Sequence, residues 1–450
     1  MHYFSFCFSS LLFFFFNVEW FFIDFYSTFY NEFFLLTLFN GYCSLGVDGL
    51  SLPFLYLTLL LIPLCILYNW NHSLNVKSEY SVLLLCAEIS LLFFFMTSNL
   101  LLFFFLFECL LFPFFLMFGI RAVRLRKGHA SFLLLLYTLF GSFCMLFGII
   151  YLYSRTGTFD LFLLSSIAYN IENEYFICGL FLVSFFSKIP VVPLHNWLPE
   201  AHVEAPTELS VLLAGIILKV GTYGFIRVVL PIFPYSFHYH SPLLLIFFVI
   251  SIFHSSMTAI IQSDMKKIIA YSSIAHMNIS MLGLCVGTTI SVCGSIFLMF
   301  SHGIISSGLF FLIGMLYERY GTKIIKYYTG LISVMPIYST FFFLFILGNI
   351  GFPLTCGFVG EVLVLLGLPE RNNLFLLFVV GFCIFCGGIY SMWLYNRLFC
   401  GVPSICFVGD LTLREFFVIF PLAINLFFFG IFPNIFMQPI YNYCFSYVFI

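Results

Sequence analysis

Four ionisable residues stand deep inside long apolar stretches of this 450-residue chain. Glu108 follows the run Phe103–Phe107, Lys188 comes just before Pro190, Lys219 ends Gly215-Ile216-Ile217-Leu218-Lys219, and Glu361 follows Gly360. A charge surrounded by apolar sequence is costly, and in lipid it is a functional candidate by default. Burial disfavours the ammonium form of a lysine, and a nearby carboxylate restores it. A lysine whose acidic partner moves or takes up a proton is therefore a switchable proton carrier. His302, in Ser301-His302-Gly303-Ile304, extends the set, because imidazole relays protons near neutral pH. His276, in Ser272-Ser273-Ile274-Ala275-His276, is a weaker addition.

Structural roles compete with this chemistry. A basic side chain near a helix end can snorkel to the interface, which suits Arg227 but fits Lys219 poorly. A buried Glu–Lys pair can be purely structural, although such pairs add little net stability. All four charges together are harder to explain that way. The loop His195-Asn196-Trp197-Leu198-Pro199-Glu200-Ala201-His202-Val203-Glu204 holds two His and two Glu. It lacks the tight histidine spacing of a helical metal site and reads as a proton-uptake or interface loop. Cys383 and Cys386 have no second pair or nearby His to complete a metal site, so they read as small buried hydrophobes. There is no Gly-rich dinucleotide fingerprint, no phosphate loop and no cysteine set for an iron–sulfur cluster. The chain is not expected to oxidise anything itself, and the energy for transport must come from a partner or an ion gradient.

The elements that position these groups must be membrane helices. The chain is 62% hydrophobic and 8% charged, with net charge −2 and mean hydropathy +1.11. A soluble domain carries about 25% charged residues, so the natural solvent here is lipid, and nothing points to nucleic acid. A spanning helix needs about 20 apolar residues. The candidate spans are 5–23, 48–69, 79–97, 99–120, 129–153, 176–194, 205–231, 241–262, 266–286, 290–317, 331–367, 374–400 and 411–435. The span 331–367 is too long for one crossing and carries Gly348, Gly351, Pro353, Gly357 and Gly360, so it is expected to break in mid-membrane. Pro190 and Pro193 interrupt 176–194 in the same way. Two breaks in corresponding halves suggest inverted repeats around ion sites. The expected fold is all-α and polytopic, with about thirteen spans in two inverted-repeat bundles. Its divisions are N-terminal helices in 1–78, repeats in 79–231 and 241–400, and a C-terminal helix and tail in 401–450.

Threading these spans gives one side, side A, Lys77, Arg121, Arg124, Arg126, Lys127, Lys266, Lys267, Arg319, Lys323, Lys326, Arg397 and Arg414. Side B receives Arg155, Arg227 and Arg371. The positive-inside rule makes side A the matrix or cytoplasmic side. The N-terminus then lies on side A and the C-terminus opposite.

One stretch is highly specific. Lys188-Ile189-Pro190-Val191-Val192-Pro193-Leu194-His195-Asn196-Trp197-Leu198-Pro199-Glu200-Ala201-His202-Val203-Glu204-Ala205-Pro206-Thr207, continuing into Leu213–Gly221, resembles the antiporter-like subunits of mitochondrial NADH:ubiquinone oxidoreductase, respiratory complex I. Gly46-Val47-Asp48-Gly49-Leu50-Ser51, Asp264–Ser273 and Phe358-Val359-Gly360-Glu361 support the resemblance, which covers nearly the whole chain from Gly46. Within that family, Glu361 stands where sister subunits look like they carry Lys, and Ile450 leaves no room for a long lateral helix. Both favour the subunit 4 branch.

The resemblance implies a membrane-arm subunit driven by quinone reduction elsewhere, with Glu108 and Lys188 as an ion pair. Lys219 would be the central carrier, His302 the link between halves and Glu361 the terminal group. FMN, iron–sulfur clusters and ubiquinone would belong to partner subunits, with no cofactor here. The partners would be other membrane-arm subunits, including antiporter-like ones, and lipids. The location would be the mitochondrial inner membrane. The 68 Phe residues fit drift in an AT-rich organelle genome. One departure is that the family usually places two spans before Gly-Val-Asp-Gly, where only 5–23 is found here. A stand-alone multi-subunit cation/proton antiporter would share the same buried charges without a quinone-reducing partner. A proton-inert bracing subunit would tolerate apolar replacement of them.

Overall fold

Lipid offers no hydrogen bonds, so each backbone N–H and C=O must be satisfied within the protein, and helices do this locally. The computed structural model describes residues 5–13, 36–38, 41–43, 45–71, 74–120, 125–167, 173–371, 374–403 and 409–447. Among these, ten helices are long and apolar enough to cross a membrane. A helix over 5–13, α1, lays Phe6 on Trp70 and Phe13 on Tyr56. The remainder of the expected span 5–23 lies outside the described residues. A two-stranded antiparallel hairpin pairs Leu36–Leu38 with Gly41–Cys43.

The helices then run α2 (Ser51–Tyr68), α3 (Leu74–Met96), α4 (Leu100–Ile120), α5 (Leu125–Thr156) and the short α6 (Leu161–Ile167). A helix over Glu174–Lys188, α7, stops at Lys188, and α8 (Trp197–Glu204) resumes after the two prolines. The next helix, α9, covers Thr207–Ile232, followed by α10 (Pro234–Ile261), α11 (Met265–Val286) and α12 (Thr289–Tyr320). The expected mid-membrane break is present: α13 (Pro336–Ile350) ends and α14 (Cys356–Gly367) begins. Finally come α15 (Leu374–Phe399), α16 (Leu413–Ile431) and α17 (Asn434–Tyr447).

Local chemistry fixes the ends. The side chain of Asn99 accepts from the backbone of Leu101 and Leu102 at the start of α4. Thr288 with Ser291, and Thr412 with Glu415, form capping boxes, each satisfying two orphan backbone donors. Gly287 and Gly321 close α11 and α12 in the left-handed conformation.

The breaks are satisfied by neighbouring side chains, as lipid requires. The Asn278 amide donates to the Pro190 carbonyl at 3.1 Å, and Ser251 Oγ accepts from Val192 N at 2.9 Å. Lys266 Nζ donates to the Ala205 carbonyl at 2.9 Å and Lys323 to that of Val203. Basic groups thus cap the C-terminal end of α8, where the helix dipole favours them. In the second break, the backbone N–H of Phe352 reaches back to Leu347 and that of Thr355 to Phe352.

Helices α9 and α12 are buried along their central stretches and form the centre. They cross at glycine: a Cβ on Gly303 would come within 3.2 Å of the Gly215 carbonyl. Small residues at a membrane-helix crossing let backbones approach closely. The outer helices α5, α10 and α15 show Phe140, Ile246 and Phe378 to the surroundings, as lipid contact demands.

Ion pairs sort the ends as the charge threading expects. Residues threaded to side A meet one another: Lys267 pairs with Glu200 at 3.5 Å, Arg319 with Glu415 at 2.6 Å, and Arg414 donates to the Tyr68 carbonyl. At the opposite end Arg227 does not snorkel. It pairs with Asp48 in a buried contact beneath Tyr443.

Candidate functional site

Lys219 is fully buried near the middle of α9. The helix widens there into π-helical turns at Leu213–Ile217 and Phe225–Val229, one on each side of it. Such bulges occur often at functional sites. The Lys219 ammonium donates to the Ala214 carbonyl five residues earlier. It also lies 2.9 Å from Nδ1 of His302 on α12. An ammonium has no lone pair, so a charged Lys219 makes Nδ1 the acceptor and puts the proton of a neutral His302 on Nε2. The Gly215–Gly303 crossing brings the two together, since Gly215 lies one turn before Lys219 and Gly303 directly follows His302.

The next contact is with His276 of α11. Its ring centroid lies 5.8 Å from that of His302, inclined by 39°. Nδ1 of His276 is 3.2 Å from Oε1 of Glu361, which begins the second turn of α14. Nε2 of His276 has no partner in the structure. Glu361 is 4% exposed and His276 8%. Gly351 ends α13 with φ 75°, and a Cβ there would overlap Oε2 of Glu361. The break thus makes room for the carboxylate. Tyr390 lies close to Glu361, Ser272 and Asn349.

Lys188 ends α7, at the first break. Its ammonium donates to the Phe107 carbonyl at 2.7 Å and lies 3.1 Å from the centroid of the Phe107 ring, a cation–π contact. Glu108, the next residue along α4, is in electrostatic reach of Lys188, and Oε1 of Glu108 is buried without a partner. The ion pair expected from the resemblance is therefore not a direct contact: the lysine holds the backbone one residue before the carboxylate. A Cβ on Gly221 would touch Cβ of Lys188 at 3.2 Å. That glycine lies two residues after Lys219, so the two lysines stand on helices in intimate contact.

Four of the five expected residues, Lys188, Lys219, His302 and Glu361, thus lie in one buried region, and Glu108 borders it from a half-buried position. His276 counts for more than its sequence context suggests, because it joins His302 to Glu361. The 195–204 loop divides. His195 packs edge-on against His254 with centroids 5.0 Å apart, and His202 stacks on Phe310 at 4.7 Å. Among the described residues no three His, Cys, Asp or Glu side chains converge as a metal site would need.

Two fully buried acids escaped the sequence reading. Glu88 on α3 is 0% exposed, with both carboxylate oxygens unpartnered. Glu208, also 0% exposed, accepts from Thr207 Oγ1 at 3.2 Å. Glu88 was legible by the rule that singled out Glu108, an acid with apolar sequence on both sides. Ser78, Ser81 and Ser90 make its span look more polar.

The family model described as NADH:quinone oxidoreductase/Mrp antiporter, TM, matches residues 97–386. The NADH-ubiquinone oxidoreductase chain 4 of Chondrus crispus is 43% identical over 440 residues, covering 97% of this chain and 88% of that one. A chain in the structure of respiratory complex I from Thermus thermophilus with bound NADH superposes with a TM-score of 0.89 at 27% identity, covering 100% of this chain and 95% of that one. A chain of the Mrp complex from Dietzia shares the fold, with a TM-score of 0.81 at 18% identity over 90% of this chain and 85% of that one.

Proposed function

The chain belongs to the NADH:quinone oxidoreductase/Mrp antiporter family, and from that premise we propose that its buried Lys, His and Glu groups carry protons through the membrane arm of an NADH:ubiquinone oxidoreductase. It is a multi-pass subunit of the mitochondrial inner membrane, assembled with other membrane-arm subunits. Redox cofactors and quinone belong to partner subunits. The observation that carries the proton reading is the contact order Lys219–His302–His276–Glu361, in which the outer two steps set a donor against an acceptor and the middle one brings the two imidazole rings to 5.8 Å between centroids.

Lys219 Nζ gives a proton to Nδ1 of His302, which then releases the one on Nε2. Nε2 of His276, unpartnered in the structure, receives it directly or through one water. His276 Nδ1–H passes its proton to Oε1 of Glu361. Each imidazole ends with its proton on the other nitrogen, and ring reorientation resets it. Lys188 and Glu108 reload Lys219 across the α7–α9 contact. The carrier must be charged and discharged within a site that excludes bulk water, where electrostatic interactions are strongest. A small change at one group then shifts the proton on the next.

We also take 79–231 and 241–400 as the two repeats. In support, each block holds five crossings and breaks the fourth, α7–α8 in the first and α13–α14 in the second. Lys188 and Glu361 border these two breaks. Glu108 and His276 each lie on the second crossing of their block, beside those respective groups.

The decisive experiment separates native membrane complexes, stains for NADH–dye reductase activity and sequences peptides from the active band. Presence of this chain there supports the assignment. Migration without dehydrogenase subunits would transfer it to the antiporter class.

A further inference from the structure

We propose that Glu88 is an additional proton-carrying group of the first block, loaded through internal water and exchanging with the Glu108–Lys188 region; this rests on the function proposed above. Glu88 is 0% exposed, and neither carboxylate oxygen has a partner. An ionised carboxylate in that state would bear the full cost of desolvation. A neutral carboxyl would still leave an O–H and a C=O unsatisfied. Native proteins resolve such groups with ordered water. The residue therefore rests neutral and hydrated, as a proton donor held inside the membrane.

Its position suits that role. Tyr80, Leu84, Ala87, Glu88 and Leu91 share the buried face of α3, at the spacing of one helix stripe. Six residues further on, Phe94 packs at a tilt against Phe103, with centroids 4.5 Å apart, and against Phe107 at 6.3 Å. Phe107 carries the Lys188 ammonium. Glu88 lies about ten residues before the α3–α4 turn and Glu108 about ten after it, so at about 1.5 Å per residue the two carboxyls stand at similar depth on neighbouring helices.

The transfer balances simply. Glu88 gives its carboxyl proton to water, water passes one to the Glu108 carboxylate, and the Glu88 carboxylate is reloaded from side A. No other bond changes.

The test uses membranes carrying Glu88→Gln or Glu88→Asp, with assembly checked on native gels. Glutamine keeps hydrogen bonding but cannot titrate. We expect E88Q to lower coupled turnover by about tenfold, less than the 10²–10⁴ cost of losing a sole acid or base, because water can bypass one carrier. E88D should restore most of it with a displaced pH profile. Wild-type proton stoichiometry and an unchanged pH profile in assembled E88Q would overturn the proposal and leave Glu88 a polar filler. If E88Q does not assemble, infrared difference spectra decide: a neutral carboxyl band that changes on turnover and moves in E88D supports the role, and no such band refutes it. Lys219→Ala separates the two readings. Loss of coupling in K219A with normal E88Q removes only the role of Glu88, whereas normal coupling in both removes the parent function.

Discussion

The ammonium of Lys219 and Nδ1 of His302 face each other at 2.9 Å across the glycine crossing of α9 and α12. Both side chains are almost wholly buried. A donor this close to an acceptor, on two helices with no solvent access, transmits any change at one group to the other.

Replacing Lys219 with Ala removes the central donor and leaves Nδ1 of His302 without its partner. Proton translocation coupled to NADH oxidation should fall by about a hundredfold, the low end of what a positioned acid or base contributes. Proton uptake by sealed vesicles during NADH oxidation measures it, and unchanged uptake per NADH would refute the assignment.

His302→Ala and His276→Ala interrupt the same series of contacts. Each alone should depress coupled turnover strongly, and the double variant should be no worse than the more damaging single one. Groups that act as a unit are non-additive in this way. Additive losses would show that the two imidazoles serve separate routes.

Gly351→Ala forces a left-handed backbone on alanine and drives its Cβ into Glu361. The backbone alone costs about 1–2 kcal/mol, and the displaced carboxylate should lose its contact with His276. Gly381→Ala meets nothing within 4 Å and is the control. The temperature of thermal inactivation and the coupled turnover should both fall for G351A and neither for G381A.

Arg227→Met leaves Asp48 buried and uncompensated. Breaking a buried pair from one side costs about 3–5 kcal/mol, so the assembled complex should lose thermal stability. Replacing Asp48 with Leu as well should recover most of the loss. A double variant as unstable as the single one would show that the pair is not the contact that matters there.

Much of this architecture is legible from residue order. Two dozen apolar residues can only be a span, and Gly348 through Gly360 can only be a break. Lys219 was conspicuous because a charge at that depth has few bland explanations. The contacts were less accessible. No spacing rule foretells a π-turn that presents the Ala214 carbonyl to Lys219. Nor does one reveal that Lys188 reaches the carbonyl of Phe107 rather than the Glu108 carboxylate, because both arise from packing between distant segments. His276 looked ordinary for the same reason, since its importance lies in the Glu361 carboxylate, on a helix far along the chain.

Lys219, His302 and His276 each lie near the middle of their own helix, and Glu361 beside a mid-membrane break. Hops between groups at one depth run parallel to the lipid leaflets and cross almost none of the transmembrane voltage. The electrical work, about 2.3 kcal/mol per charge for each 100 mV, falls on the steps that bring a proton in from one face and release it at the other. Membrane potential should therefore slow uptake and release while leaving the lateral transfers nearly untouched.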